Sequence, residues 1–346
     1  MSERQPGGAT TSETTTSGST TSGATTSEAI SAIPDLADRI GGAVGKVLKG
    51  KGPAIEAAIT TLLAGGHVLI EDVPGVGKTT LATALARSID AGVRRIQFTS
   101  DMLPTDVTGL SIYDQDAHTF RFHPGPIFSN IVVGDEVNRA TPKTQSALLE
   151  AMEERAVTID GTTHALPSLF TVVATQNPQD MEGTFPLPEA QRDRFMARIS
   201  LGYPHRDAEV AMVVSRNSLE SGRLTESVAT VAEVVEAQAV VGRVQVREEV
   251  ASYLVSIVGG TRNHPGIALG GSPRAGLHLA AMARARSAMN GRAYVTPDDI
   301  AVLASTVLAH RLVPHGRFAS VREEYDAATR IVAEMVASAP VPHERW

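Results

Sequence analysis

Two groups of residues in this 346-residue chain have the types and spacing that handle phosphate. In the first, Gly75 and Gly77 lead into Lys78 and Thr79, and a helical pattern, Leu81-Ala82-Thr83-Ala84-Leu85-Ala86, follows. Glycines let backbone N–H groups come close to phosphate oxygens, and a helix N-terminus adds positive dipole charge. A lysine at that point reaches β- and γ-phosphates, and the threonine hydroxyl can ligate Mg²⁺. The second group is Asp135-Glu136, two adjacent acids after the apolar run Ile131-Val132-Val133. Asp135 suits the shell of a Mg²⁺ ion, and Glu136 can orient and activate a water for attack on a γ-phosphate. Each group alone has a blander reading, a glycine-rich turn or a solvated strand end. The full loop pattern also asks for Gly five residues before Gly77, where this chain has Asp72.

Three further stretches carry candidate residues. Asn177 follows Gln176 where an apolar run ends, and a polar group there can bond the attacking water or the γ-phosphate, although Asn-Pro is commonly just a turn. Leu187-Pro188-Glu189-Ala190-Gln191-Arg192-Asp193-Arg194-Phe195 reads as a helix ending in arginines, or as a salt-bridged helix end. Ser272-Pro273-Arg274 opens a helix, with Ser272 as cap and Pro273 in the first turn. Arg274 opposes the dipole there, which suggests an anion nearby or else a plain surface arginine.

Strands and helices must position these groups. Val68 to Ile70 reads as a buried strand delivering the glycine loop. Arg94-Arg95-Ile96-Gln97-Phe98 and Leu169 to Thr175 read as strands, and Ile131 to Val133 as one buried on both faces. The carboxyl end of such a strand is where α/β sheets bind ligands. Residues 99–126, with the alternating Thr119-Phe120-Arg121-Phe122, read as a hairpin insertion. Thr141-Pro142 starts a helix that runs to Met152, and Arg155 to Gly161 reads as a strand into an Asp-Gly turn. Residues 34–64 carry a helical pattern broken at Gly50-Lys51-Gly52-Pro53. From about residue 205 the pattern is helical and Ala-rich, and Thr296-Pro297-Asp298-Asp299 is a further helix start.

Composition narrows the classes. Hydrophobic residues are 42%, which suits a globular chain of about two domains. The net charge of −7 is a poor basis for nonspecific nucleic-acid binding, and no aromatic-basic interleaving is present. Lys46, Lys49 and Lys51 read as a solvated helix end rather than a nucleic-acid patch. The chain has no cysteine, which removes disulfides, thiol catalysis and Cys-zinc sites. No run approaches the roughly 18 apolar residues of a membrane span, and no secretory signal is visible, so a cytoplasmic protein is expected. Residues 1–32 are dominated by Ser, Thr, Gly and Ala and read as a disordered tail.

Seven stretches together resemble the MoxR family of AAA+ ATPases. They are Glu71 to Thr79, Phe122 to Phe128, Asp135 to Ala140, Ala174 to Pro178, Leu187 to Gln191, Asp193 to Phe195 and Ser272 to Arg274. The resemblance covers roughly residues 33–340, and Asp72 is usual in that family. It implies an α/β P-loop AAA+ three-layer sandwich with a parallel central sheet over 33–203, with the helix-2 insertion at 99–126. A C-terminal all-helical lid domain would fill 204–346. It implies that Asp72, Pro74, Gly75, Val76, Gly77, Lys78, Thr79 and Thr80 hold ATP, and that Thr79 and Asp135 hold Mg²⁺. Glu136 then looks like the Walker B glutamate, Asn177 like the first sensor, Arg274 like the second. Arg194 looks like the finger inserted into a neighbouring subunit, with Arg192 a second arginine beside it. The implied activity is ATP hydrolysis driving chaperone-like remodelling or maturation of client complexes, metal insertion included. The implied setting is a hexameric ring with a partner carrying a von Willebrand factor A domain and no nucleic acid. The competing readings are a nucleotide-gated scaffold with negligible turnover and a nucleic-acid motor.

Overall fold

The computed structural model describes residues 28–73, 75–176, 183–204, 206–214 and 226–342. Five parallel strands form its centre: β1 (Val68–Glu71), β2 (Val93–Gln97), β5 (Ile131–Asp135), β8 (Thr171–Gln176) and β9 (Ala197–Ile199). Their spatial order is β2-β5-β8-β1-β9. Every residue of β1, β5, β8 and β9 is buried, while β2 sits at the edge with only Ile96 buried. Apolar residues on both faces of a strand call for a layer of helices on each side.

Alternation along the strands divides the core. Val68 and Ile70 of β1, with Ile131 and Val133 of β5, join one apolar cluster. Helices α1 (Ile33–Val47), α2 (Gly52–Leu63) and α3 (Lys78–Ser88) cover that face. Leu69 and Val132 join a second cluster, covered by α5 (Pro142–Glu154). Residues of period two thus feed two cores, which makes three layers.

Two hairpins extend the second side. After the short helix α4 (Pro104–Thr108) come β3 (Gly109–Asp114) and β4 (Thr119–Pro124), the expected insertion. Its base is a backbone crossing: a Cβ on Gly125 would lie 2.4 Å from the Val107 carbonyl oxygen, so only glycine fits. The other hairpin is β6 (Ala156–Ile159) with β7 (Thr162–Ala165). Asp160 and Gly161 both have positive φ at its turn, as an Asp-Gly hairpin requires. His164 stacks on Phe122 at 4.1 Å between ring centroids, joining the two hairpins.

Short helix α6 (Glu189–Arg192) precedes β9, and α7 (Arg206–Val214) follows it. Then come α8 (Val231–Val241), α9 (Glu248–Asn263), β10 (Ile267–Leu269), α10 (Pro273–Met289), α11 (Pro297–Leu308), β11 (Val313–Pro314) and α12 (Val321–Ser338). β10 and β11 form a small antiparallel ribbon among these helices, too short to register as a strand signal in sequence. Ser272 caps α10 by accepting from Ala275 N at 3.1 Å, and Thr296 with Asp299 boxes α11. The helical part shares the first cluster with α1 and α2, and Arg286 pairs with Glu56 of α2 at 2.6 Å. Among the described residues no helix is long and apolar enough to cross a membrane.

The expected tail is corrected at its end. Residues 1–27 lie outside the described residues, but 28–31 are helical, and Ile30 is 1% exposed. Ile30 and Ile33 supply the apolar anchor that the Ser/Thr-rich residues lack.

His67 stands immediately before β1, fully buried. Its Nε2 bonds the Met152 carbonyl at 3.2 Å, and its Nδ1 accepts from Val172 N at 3.0 Å. Burial pushes its pKa down from 6.5 to about 4, so it is neutral in the folded chain. Between those values the unfolded chain binds more protons, and stability falls as pH falls. Thermal midpoints measured from pH 7 to 4 are expected to drop. His67→Gln is expected to flatten the matching slope of unfolding free energy, measured by chemical denaturation, by on the order of 1 kcal/mol per pH unit.

Candidate active site

Strand β1 ends at Glu71, and the chain turns at Asp72 and Val73 towards α3. Pro74 lies outside the described residues. Gly75 and Gly77 have φ of +83° and +98°, a backbone that an L side chain rarely adopts, and Gly77 is the residue preceding α3. The amides at the start of α3, Lys78 to Thr80, face the loop without partners inside the helix. Val76 packs at the edge of the first apolar cluster and steadies the turn.

Asp72 explains why a carboxylate replaces the first loop glycine. Its Oδ2 accepts from Ser200 Oγ at 2.9 Å, Leu201 N at 2.7 Å and Gly202 N at 2.6 Å, and its Oδ1 accepts from Val73 N at 2.9 Å. It ties the loop's first turn to the chain leaving β9. Burial works to raise its pKa, but the bonds from Gly202, Ser200, Val73 and Leu201 outweigh burial and hold it below 3.8.

Lys78 Nζ donates to the Asp72 carbonyl at 2.7 Å and the Gln176 carbonyl at 3.4 Å. Burial lowers its pKa, opposed by the charges of Asp72, Asp135, Glu136 and Glu71. Thr79 Oγ1 lies 3.2 Å from both carboxylate oxygens of Asp135. Thr175 Oγ1 donates to Asp135 Oδ1 at 3.2 Å and accepts from Glu136 N at 3.1 Å. Glu136 sits at φ 57°, a left-handed turn that lifts its carboxylate off the strand line. Gln97 Nε2 and Arg139 Nη1 donate to that carboxylate at 3.0 and 2.9 Å. Arg95 Nε contacts Asp135 Oδ2 at 2.6 Å, but its side chain is 60% exposed and free to leave.

These groups fit a magnesium nucleotide. A threonine hydroxyl and one carboxylate are hard oxygen ligands, and Mg²⁺ beside phosphates typically takes only one or two carboxylates. Among the described residues no group of three or more His, Cys, Asp or Glu could hold a metal ion. Gln176 Oε1, at the tip of β8, is buried without a partner among the described residues. Asn177, read from sequence as the sensor beside it, lies outside the described residues.

The structure does not bring the candidate arginines to this loop. Arg194 precedes β9, and Met196 N donates to the His67 carbonyl at 2.8 Å, at the amino ends of β1 and β9. There Arg194 Nε lies 3.2 Å from Glu153 Oε2, and Arg274 pairs with the same carboxylate. With Arg155, His278, Met152, Met196 and Leu277 they line a cavity of about 330 Å³. Burial first, then the charges of Arg311 and Arg274, push the His278 pKa to about 3, so it adds no cation. Arg192 turns elsewhere, 3.7 Å from Glu189 in its own helix. Sequence reasoning passed over Arg95, Gln97 and Glu153. The period-two face of β2 carries Arg95 and Gln97 together, yet their register against Asp135 appears only when β2 pairs with β5.

A parallel sheet with β1 interior, a glycine loop leading into a helix after it and two acids at the tip of a neighbouring strand define a P-loop ATPase fold of the AAA+ class. Residues 67–197 match the model of the ATPase family associated with various cellular activities, and residues 259–331 match the AAA lid domain. The chaperone MoxR1 of Mycobacterium tuberculosis is 39% identical over 83% of this chain and 78% of its own length. The uncharacterized protein YeaC of Bacillus subtilis is 45% identical over 90% of this chain and 97% of its own. A crystal structure of a candidate ATPase from Cytophaga hutchinsonii superposes with a TM-score of 0.81 at 35% identity, covering 92% of this chain and 98% of that one. The chain belongs to the MoxR family of AAA+ ATPases.

Asp72→Ala leaves the Leu201 and Gly202 amides without their acceptor. It is expected to cost about 1–3 kcal/mol in chemical denaturation. The stabilisation is present above the ordinary carboxylate pKa and lost as pH falls through the lower folded value. The wild-type advantage over the variant is therefore expected to start shrinking near pH 4 and to be lost only below the folded value.

Proposed function

We propose that this chain hydrolyses ATP in a site built by two copies of itself. The observation that carries the reading is the opposition of the two charged groups. The loop of Lys78 lies at the carboxyl end of β1, and Arg194 and Arg274 lie at its amino end. Four residues of strand separate the ends by about 13 Å. One copy cannot set its own arginines on the phosphate held by its own loop.

In this reading the loop amides and Lys78 Nζ hold the β- and γ-phosphates. Thr79 and Asp135 would hold Mg²⁺, which when bound neutralises charge that develops on the phosphate oxygens. Glu136, aimed by its left-handed turn and by Gln97 and Arg139, holds and polarises the attacking water. Asn177 is proposed to meet the same water or the γ-phosphate. Arg194 enters the neighbour's site, with Arg274 beside it. Its preference over Arg192 rests on the shared Glu153 and on Arg192's tie to Glu189.

The division into a nucleotide-binding part over 33–203 and a lid over 204–346 is proposed with it. Family membership supports chaperone-like use of the cycle on client protein complexes. The hexameric ring, the von Willebrand factor A partner, metal insertion and a cytoplasmic setting are proposed on that membership alone.

Purified chain is expected to turn over ATP with Mg²⁺. Glu136→Gln is expected to lower kcat by on the order of 10²-fold or more. Arg194→Ala is expected to lower it about 10³-fold while ATP still binds the isolated chain. Turnover untouched by either change overturns the reading. The Glu136→Gln chain, held with ATP, is also the bait with which to capture a client.

A further inference from the structure

Asp193 and Phe195 flank Arg194, and both are gripped from the helical part of the same chain. Arg311 lies in the single turn of 3-10 helix, Ala309–Arg311, that follows α11. Its side chain is 1% exposed. Nη2 donates to the carbonyl of Asp193 at 3.2 Å and to that of Phe195 at 2.5 Å. These are the carbonyls on either side of Arg194. Nε stands 3.1 Å from Asp193 Oδ1, a charge contact rather than an aligned hydrogen bond. His310 Nε2 bonds the Phe195 carbonyl at 3.1 Å.

The same guanidinium reaches the other arginine's helix. Nη2 meets His278 Nδ1 at 2.5 Å, and His278 lies one turn after Arg274 on α10, on the same face. The Asp193 carboxylate accepts from Ser272 Oγ, the cap of α10, at 3.0 Å. It also lies 4.0 Å from Arg274 Nε. One buried fork thus spans the backbone around Arg194 and the helix that bears Arg274. A guanidinium buried only for stability is weakly favoured, since apolar replacements of similar volume do as well. A planar guanidinium that bonds both carbonyls through Nη2, while Nη1 donates to the Val307 carbonyl at 2.7 Å, fixes an orientation, which a point charge does not. Burial lowers the Arg311 pKa to about 10, so it remains charged at neutral pH.

We propose that Arg311 is a positioning residue that sets Arg194 for the neighbouring copy's γ-phosphate, so that its effect falls on the neighbour's turnover and not on its own. The inference rests on the reading of Arg194 as acting in trans. It adds that the helical part of the donating copy decides where that arginine points.

The test is complementation between copies. Arg311→Lys, Arg311→Met and Arg194→Ala chains are each assayed alone and mixed in equal amounts with Glu136→Gln. Alone, Arg311→Lys is expected to lower kcat by about 10- to 100-fold, as a misplacement near 1 Å does. Its ATP affinity is expected to stay close to wild type, and the assay is run well below its thermal midpoint, which the lost buried hydrogen bonds are expected to lower. Mixed with Glu136→Gln, turnover is expected to rise several-fold above the sum of the separate activities. The intact loops of the Arg311→Lys copies would then receive a well-placed Arg194 from the Glu136→Gln copies.

Recovery with Arg194→Ala but not with Arg311→Lys would show that Arg311 acts within its own copy, which overturns the proposal. A raised KM with unchanged kcat overturns it as well. Failure of both mixtures overturns the trans reading of Arg194, and this inference with it. If Arg311→Met does not fold, Arg311→Lys, which keeps the charge against Asp193, carries the comparison.

Discussion

A strand buried on both faces can offer chemistry only at its two ends. β1 is such a strand, and nearly every polar arrangement around the candidate site follows from that limit. At its carboxyl end the chain must leave the sheet, turn and begin α3, and the turn gathers amides, Lys78 and the Asp72 anchor. At its amino end His67, made neutral by burial, closes hydrogen bonds to Met152 and Val172 and seats the strand. At the carboxyl end Glu71 of β1 also pairs with Arg198 of β9 in the interior, with the Arg198 guanidinium 3.4 Å from the centre of the Tyr325 ring on α12. That pair joins the loop's supporting strand to the last helix of the lid.

Both ends of β1 are therefore held from the helical part, by different means. Apolar contact does it broadly, since one cluster runs from α1 and α2 through α10 and α11. Charged contact does it locally, at Arg286 with Glu56, at Arg198 beneath Tyr325 and at Arg311 on the chain around Arg194. A movement of the helices relative to the sheet would have to be carried through these few contacts, since densely packed interiors shift as units. Glu153 adds a local balance. It lies against both Arg194 and Arg274 within one copy and offsets part of the repulsion between the two guanidinium groups.

The sequence made the cradle legible because its signals are local. Gly75, Gly77, Lys78 and Thr79 are consecutive or nearly so, and the strand and helix flanking them have distinct periods. Asp135 and Glu136 were legible for the same reason. The Asp-Gly turn at 160–161 and the caps at Thr141 and Ser272 appeared where short-range rules put them. What stayed hidden is long-range. Arg95 meets Asp135 across forty positions, Asp72 meets Gly202 across 130, and Arg311 meets Phe195 across 116. Nothing in the periodicity of either partner announces the other. Arg274 is the instructive middle case. Its place at a helix start implied an anion, and one is there, but it is the Glu153 carboxylate of the same chain. The end of the tail was missed because Ile30 is the one large apolar residue between the Ser/Thr-rich stretch and Ile33, and its burial depends on a pocket that only the folded helices create.

The polarity of β1 also bears on how copies could communicate. If Arg194 acts on a neighbour as proposed above, giving and receiving surfaces on one molecule are different patches, and at any junction between two copies the roles would be unequal. Contacts of that kind either close into a ring or continue as a helix, according to the rotation between neighbours. In either case each copy would meet one neighbour as donor and another as recipient, although the coupling free energy across any one junction is reciprocal. The assembly would have a built-in direction, set by nothing more than which end of a four-residue strand holds the lysine and which the arginines.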